Sequence, residues 1–141
     1  MDLEKSKVEE IAGELEAGLT CYINKETEEI LSVYENDDDF FIQEGDDEDK
    51  LNRVLEKPDL YIRLEGMTSQ EEFFLMQSFV GSLTDETLIE KLTSAMANRK
   101  PFVMFKDIVD ESVELKTKWT DFKLNAFVDL VNQQLLDLNE E

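Results

Sequence analysis

The chain alternates between two hydrophobic periods. Residues 6–17, SKVEEIAGELEA, place Val8, Ile11 and Leu15 on one face at helical spacing, and this predicts a first helix. Ser6 with Glu9 three residues later has the form of a capping box, and Gly18 supplies a C-terminal stop. The period then changes to two. Leu19, Cys21 and Ile23 alternate with Thr20, Tyr22 and Asn24, and Ile30, Ser32 and Tyr34 alternate with Leu31 and Val33. A β-hairpin follows, with NKETEE as its turn; without Gly the turn is expected to be longer than a tight two-residue one.

DEDKLNRVLE, residues 47–56, reads as a short helix ending ahead of Pro58, and LYIRLE at 60–65 reads as a third strand. From Thr68 onward the pattern is helical. Ser69 with Glu72 forms a second capping box before Phe73, Met76, Val80 and Leu83. Thr84 or Asp85 caps the next helix, which carries Leu88, Leu92 and Ala95. Phe102, Phe105 and Val109 mark another, and Leu124, Phe127, Val128, Val131, Leu135 and Leu138 mark the last. Strands and helices are segregated along the chain, which predicts an α+β fold rather than an alternating parallel sheet. The expected architecture is a small antiparallel sheet, the hairpin plus Leu60–Leu64, with one face packed against a cluster of four to five helices. The 141 residues are read as a single domain, with an acidic loop at 35–48.

Charge alters this picture most. The chain has 35 acidic and 14 basic residues, no His and a formal net charge of −21. Residues 1–50 hold 18 acids and 4 bases, so −14 of the −21 lies in the first third. Such a surface repels nucleic-acid phosphate and anionic membranes and favours basic proteins or metal ions. No apolar run reaches the roughly 18 residues of a membrane span, and the N-terminus lacks a secretory h-region. A soluble cytoplasmic protein is expected, with neither a membrane nor a nucleic acid as direct partner.

The residue inventory excludes several chemistries. Without His there is no Ser–His–Asp or Cys–His catalysis, and with Cys21 as the one cysteine there is no Cys/His zinc site within one chain. No glycine-rich phosphate loop is present. The stretch ENDDDFFIQEGDDEDK, residues 35–50, offers Asp37, Asp38, Asp39, Glu44, Asp46, Asp47, Glu48 and Asp49 as an acidic interaction surface. It is not an EF-hand loop. Counting from Asp37 puts Phe41 and Ile42 at the fifth and sixth positions, and counting from Asp46 puts Lys50 and Leu51 there. No catalytic, cofactor or metal residues are assigned. Cys21, in a strand, reads as a small core residue rather than a nucleophile. Arg99, Lys100, Lys106, Lys118 and Lys123 interleave with Phe102, Phe105, Trp119 and Phe122, a pattern that could stack single-stranded nucleic acid. The helical spacing of the Phe residues and the nearby Asp107, Asp110, Glu111 and Asp121 favour core packing instead, with the bases paired to acids of the same chain.

CYINKETEEILSV, LYIRLE, FFLMQSFVGSLTDETLIEKLTSAMANRKPFVMFKDIV and KWTDFK occur in that order. In this the chain resembles a bacterial family catalogued as Uncharacterised Protein Family 0158. The family-like positions include Tyr22, Phe102, Phe105, Lys106, Asp107, Trp119 and Phe122, and the resemblance covers about residues 8–136. Two positions depart from it. Glu28 stands where a turn Gly is expected after Thr27, and Arg99-Lys100 replaces a Gly ahead of Pro101-Phe102. The resemblance implies a bacterial single-domain protein and carries no activity, cofactor or catalytic residue. The motif residues read as structural, with the Lys106 stem covering aromatic rings and its charge paired to an acid. The resulting expectation is a non-enzymatic, acidic protein-interaction or regulatory module with a basic protein as partner. A DNA mimic that inhibits a nucleic-acid-binding protein and a carboxylate-dependent, metal-assisted enzyme are the alternatives.

Overall fold

The computed structural model describes residues 2–34 and 46–139. It confirms the α+β reading: the described residues form a three-stranded antiparallel sheet with six α-helices, rather than four to five. Contacts group the chain into two compact units, residues 1–66 with 127–141, and residues 67–126.

The first unit opens with α1, Lys5–Glu16, which buries Val8, Ile11, Ala12 and Leu15. Its start differs from the expected one. Glu4 is the N-cap, without a side-chain cap bond, and Ser6 lies inside the first turn. Lys7 in that turn donates from Nζ to the Glu28 carbonyl at 2.9 Å, tying α1 to the hairpin loop. The helix stops where the sequence says. Gly18 has φ +94° and donates to Leu15, while Leu19 donates to Glu14, the paired closure of a left-handed C-terminal turn.

Strands β1 (Thr20–Asn24), β2 (Ile30–Val33) and β3 (Tyr61–Leu64) pair in the order β2-β1-β3, both pairs antiparallel. A half-exposed hairpin would alternate in burial, but every residue of β1 is buried. As the central strand it is covered on both faces, which corrects the expectation that helices cover one. On one face Tyr22, Leu31 and Val33 pack with Val54 of α2 (Asp46–Glu56). On the other, the Cys21 side, the sheet meets α1. The last half of α6, which spans Val113–Asn139, adds the buried Phe127, Val131 and Leu135. Its Gln134 side-chain amide donates to the Glu65 carbonyl at 2.8 Å and accepts from the Glu65 amide at 3.1 Å. The Gln134 amide thus satisfies both backbone groups of the residue just past β3, an edge strand, as a neighbouring strand would. Gly66 follows at a close approach: a Cβ there would lie 3.0 Å from the Leu15 carbonyl oxygen.

The hairpin loop is held by side chains. Asn24 Oδ1 accepts from the Glu26 and Thr27 amides at 2.8 and 3.0 Å, and Thr27 Oγ1 accepts from Glu29. Glu28 then takes φ +63°, the left-handed conformation that favours glycine. The departure noted in the sequence is therefore a strained residue in a turn of glycine geometry. Glu28→Gly is expected to raise stability by about 0.5–1 kcal/mol, the left-handed cost less the entropy glycine adds to the unfolded chain. Urea unfolding checks this: the midpoint should rise at unchanged slope, and an unchanged or lower midpoint refutes it.

The second unit holds α3 (Ser69–Gly81), α4 (Glu86–Met96), α5 (Pro101–Val109) and the first half of α6. The α3 capping box exists but one residue earlier than expected. Glu71 N donates to Thr68 Oγ1 at 3.2 Å and Thr68 N to Glu71 Oε1 at 3.1 Å. The segment TSQEE contains both frames, Thr68 with Glu71 and Ser69 with Glu72, so the sequence alone could not choose. Asp85, one of the two expected caps, accepts from Leu88 N at 3.2 Å. Helix α6 begins at Val113, because no Gly or Pro interrupts residues 113–139 and Ser112 Oγ accepts from Leu115 N. The core of this unit is Met76, Phe79, Val80, Leu92, Phe105, Val109 and Leu115.

Candidate functional site

The acidic interaction surface expected at residues 35–50 lies partly beyond what can be described. Asp37, Asp38, Asp39 and Glu44, with the apolar FFI between them, fall outside the described residues. Asp46 and Asp47 open α2, and Glu48 and Asp49 in its first turn are exposed. The position of Glu48 and Asp49 in the first turn of a helix is favourable, since carboxylates there meet the positive end of the helix dipole.

What the first unit does with its basic residues matters more. Lys50 Nζ donates to the Ser32 carbonyl at 3.1 Å, and Lys7 is held by Glu28. Arg53 pairs with Glu29 at 2.6 Å, and Arg63 pairs with Glu65. Four bases are thus engaged within the unit. Glu4, Glu9, Glu10, Glu26, Glu48, Asp49, Glu56 and Asp59 are exposed. Three of these, Glu26, Glu56 and Asp59, border a shallow recess of about 480 Å³ together with Lys57, Pro58 and Leu60. Among the described residues, no three His, Cys, Asp or Glu side chains are arranged to hold one metal ion.

The family-like residues divide into two sets. Phe105 is buried, and its ring meets Trp119 edge-on at 5.0 Å and Phe79 at 6.4 Å. Phe79 also packs on Trp119 at 5.0 Å and on Phe122 at 5.3 Å. These four rings form one aromatic cluster, each in an edge or tilted arrangement with Phe79 or Phe105 that suits ring quadrupoles. Phe79 belongs to the family-like FFLMQSF segment and lies three residues past Met76 on the same face of α3, although the helical stripe read from the sequence ran through Phe73, Met76, Val80 and Leu83 without it. Tyr22 belongs to the sheet cluster. The other set faces outward. Phe102 is 39% exposed, against the expectation that it lies in the core with Phe105, and Lys106 and Asp107 are exposed as well. Phe102 precedes Phe105 by three residues, but α5 turns the side of Phe105 and Val109 inward and leaves Phe102 at the margin. The expected pairing of Lys106 with an acid is not found among the described residues, nor is one for Arg99 or Lys100. Lys118 does pair, with Glu114 at 3.4 Å.

Cys21 is fully buried, with Sγ 3.6 Å from Ser32 Oγ. Burial pushes its thiol pKa up; the Ser32 bond opposes this, and the Glu14 and Glu10 carboxylates of α1 add to it. A thiol so placed stays protonated at neutral pH and lacks the thiolate that a nucleophile requires.

No helix among the described residues is long and apolar enough to cross a membrane. The model of Uncharacterised protein family UPF0158 matches residues 5–133, and the chain belongs to that family. No curated protein and no solved structure matches it.

Proposed function

We propose that this member of UPF0158 is a non-enzymatic interaction module of the cytoplasm whose acidic first third engages a basic protein surface. The observation that carries this reading is the fate of four of the seven bases in the first unit. Lys7, Lys50, Arg53 and Arg63 are tied to groups of their own unit, while Glu4, Glu9, Glu10, Glu48, Asp49, Glu56 and Asp59 face solvent. A net charge of −21 over 141 residues adds a long-range field that accelerates encounter with a cationic partner.

The test is retention of proteins from source-cell lysate at about 50 and 300 mM salt, across which screening changes strongly. A discrete basic protein should be held at the lower salt and released at the higher. The double substitution Glu48→Lys with Asp49→Lys should weaken its retention. Equal retention at both salts, or none at either, counts against the reading. Displacement of the partner by duplex DNA would instead indicate a mimic of nucleic acid.

A further inference from the structure

A groove runs along the second unit between the α3–α4 turn and the first half of α6. It consists of two adjoining clefts of about 310 and 410 Å³, which share Leu83, Thr84 and Lys118. Its apolar lining comes from Phe79, Leu83, Leu88, Leu115 and Phe122. Between its ends at Ser112 and Asn125, α6 rises about 20 Å, the length of roughly six extended residues.

Acids outnumber bases along it. Asp85, Glu114 and Asp121 line the groove, and the single base, Lys118, is neutralised by Glu114 at 3.4 Å. Among the described residues the side chains of Asp121 and Asn125 have no hydrogen-bond or ionic partner. The groove therefore offers an apolar floor, an uncompensated carboxylate at Asp121 and a free amide one helical turn beyond it. That combination suits a peptide presenting apolar side chains downward and a lysine or arginine to the rim.

We propose that this groove receives a short segment of the partner protein in which basic and apolar residues alternate. The inference rests on the reading above that the partner is basic, and adds where and how it is gripped. The acidic first third raises the rate of encounter; the groove supplies the short-range contacts that fix which segment binds.

A fluorescein-labelled hexapeptide alternating leucine and lysine serves as the probe, titrated with the full chain at about 150 mM salt, where the Debye length is near 8 Å. Anisotropy gives the affinity. Trp119, the one tryptophan, packs on the groove residue Phe79, so its emission should change on binding. Asp121→Lys should weaken binding about tenfold or more, the size of one lost charge-assisted hydrogen bond. Asn125→Tyr, which obstructs the groove without altering charge, should weaken it as well. Glu48→Lys makes the same charge change at a residue that does not line the groove and should cost less than about threefold, as a solvent-screened surface charge would. Equal losses in Asp121→Lys and Glu48→Lys, with none in Asn125→Tyr, overturn the groove and leave the general acidic module standing. No binding by the unsubstituted chain also overturns the groove, and the lysate experiment judges the module separately.

Discussion

Phe105→Ala should destabilise the protein by about 3–5 kcal/mol, the usual cost of removing a buried phenylalanine. Phe105 is 1% exposed and touches both Phe79 and Trp119, so the alanine leaves a cavity and removes two edge-on ring contacts. Small domains are stable by only about 5–15 kcal/mol, so this variant should sit close to unfolding. Urea unfolding and the near-ultraviolet signal of Trp119 measure it. Phe102 gives the internal control. It occupies the same motif three residues earlier and is 39% exposed, so Phe102→Ala should cost well under half as much. Equal costs for the two substitutions would contradict the placement of α5.

Ile23→Ala should cost about 2–4 kcal/mol for the corresponding reason in the other unit. Ile23 is fully buried on the central strand, opposite Ile30 of the hairpin pair and Ile62 of the β3 pair. Its side chain lies on the Cys21 face, where the sheet meets α1. Truncation there removes packing from both ladders and the helix at once. Unfolding should shift to lower urea with the slope preserved. A cost below about 1 kcal/mol would mean that β1 is an exposed strand and not the covered centre of a sheet.

The proposed role depends on surface rather than core, and the two were legible in the sequence to different degrees. Helical and strand periods at Val8-Ile11-Leu15, Cys21-Ile23 and Leu60–Leu64 identified the elements of the first unit, because burial of one stripe dictates spacing. Gly18 marked the end of α1, since only glycine takes φ +94° without steric cost. The absence of His excluded whole classes of catalysis without any coordinates. Ambiguity entered where the sequence offered two equal solutions, as in TSQEE, or where a residue sat at the margin of a stripe, as Phe102 does.

The sequence by itself determined the α+β class, the element order, the charge and the chemistries the chain lacks. These follow from local period, backbone preference and residue inventory, all properties of neighbours along the chain. Tertiary structure decided that β1 is central, that Phe79 joins Phe105, Trp119 and Phe122, and that four bases of the first unit are bound to their own unit. It also decided that Asp121 and Asn125 border one groove with Thr84. Each of these depends on which residues distant in sequence meet, and the period of a stripe says that a face is buried without saying against what.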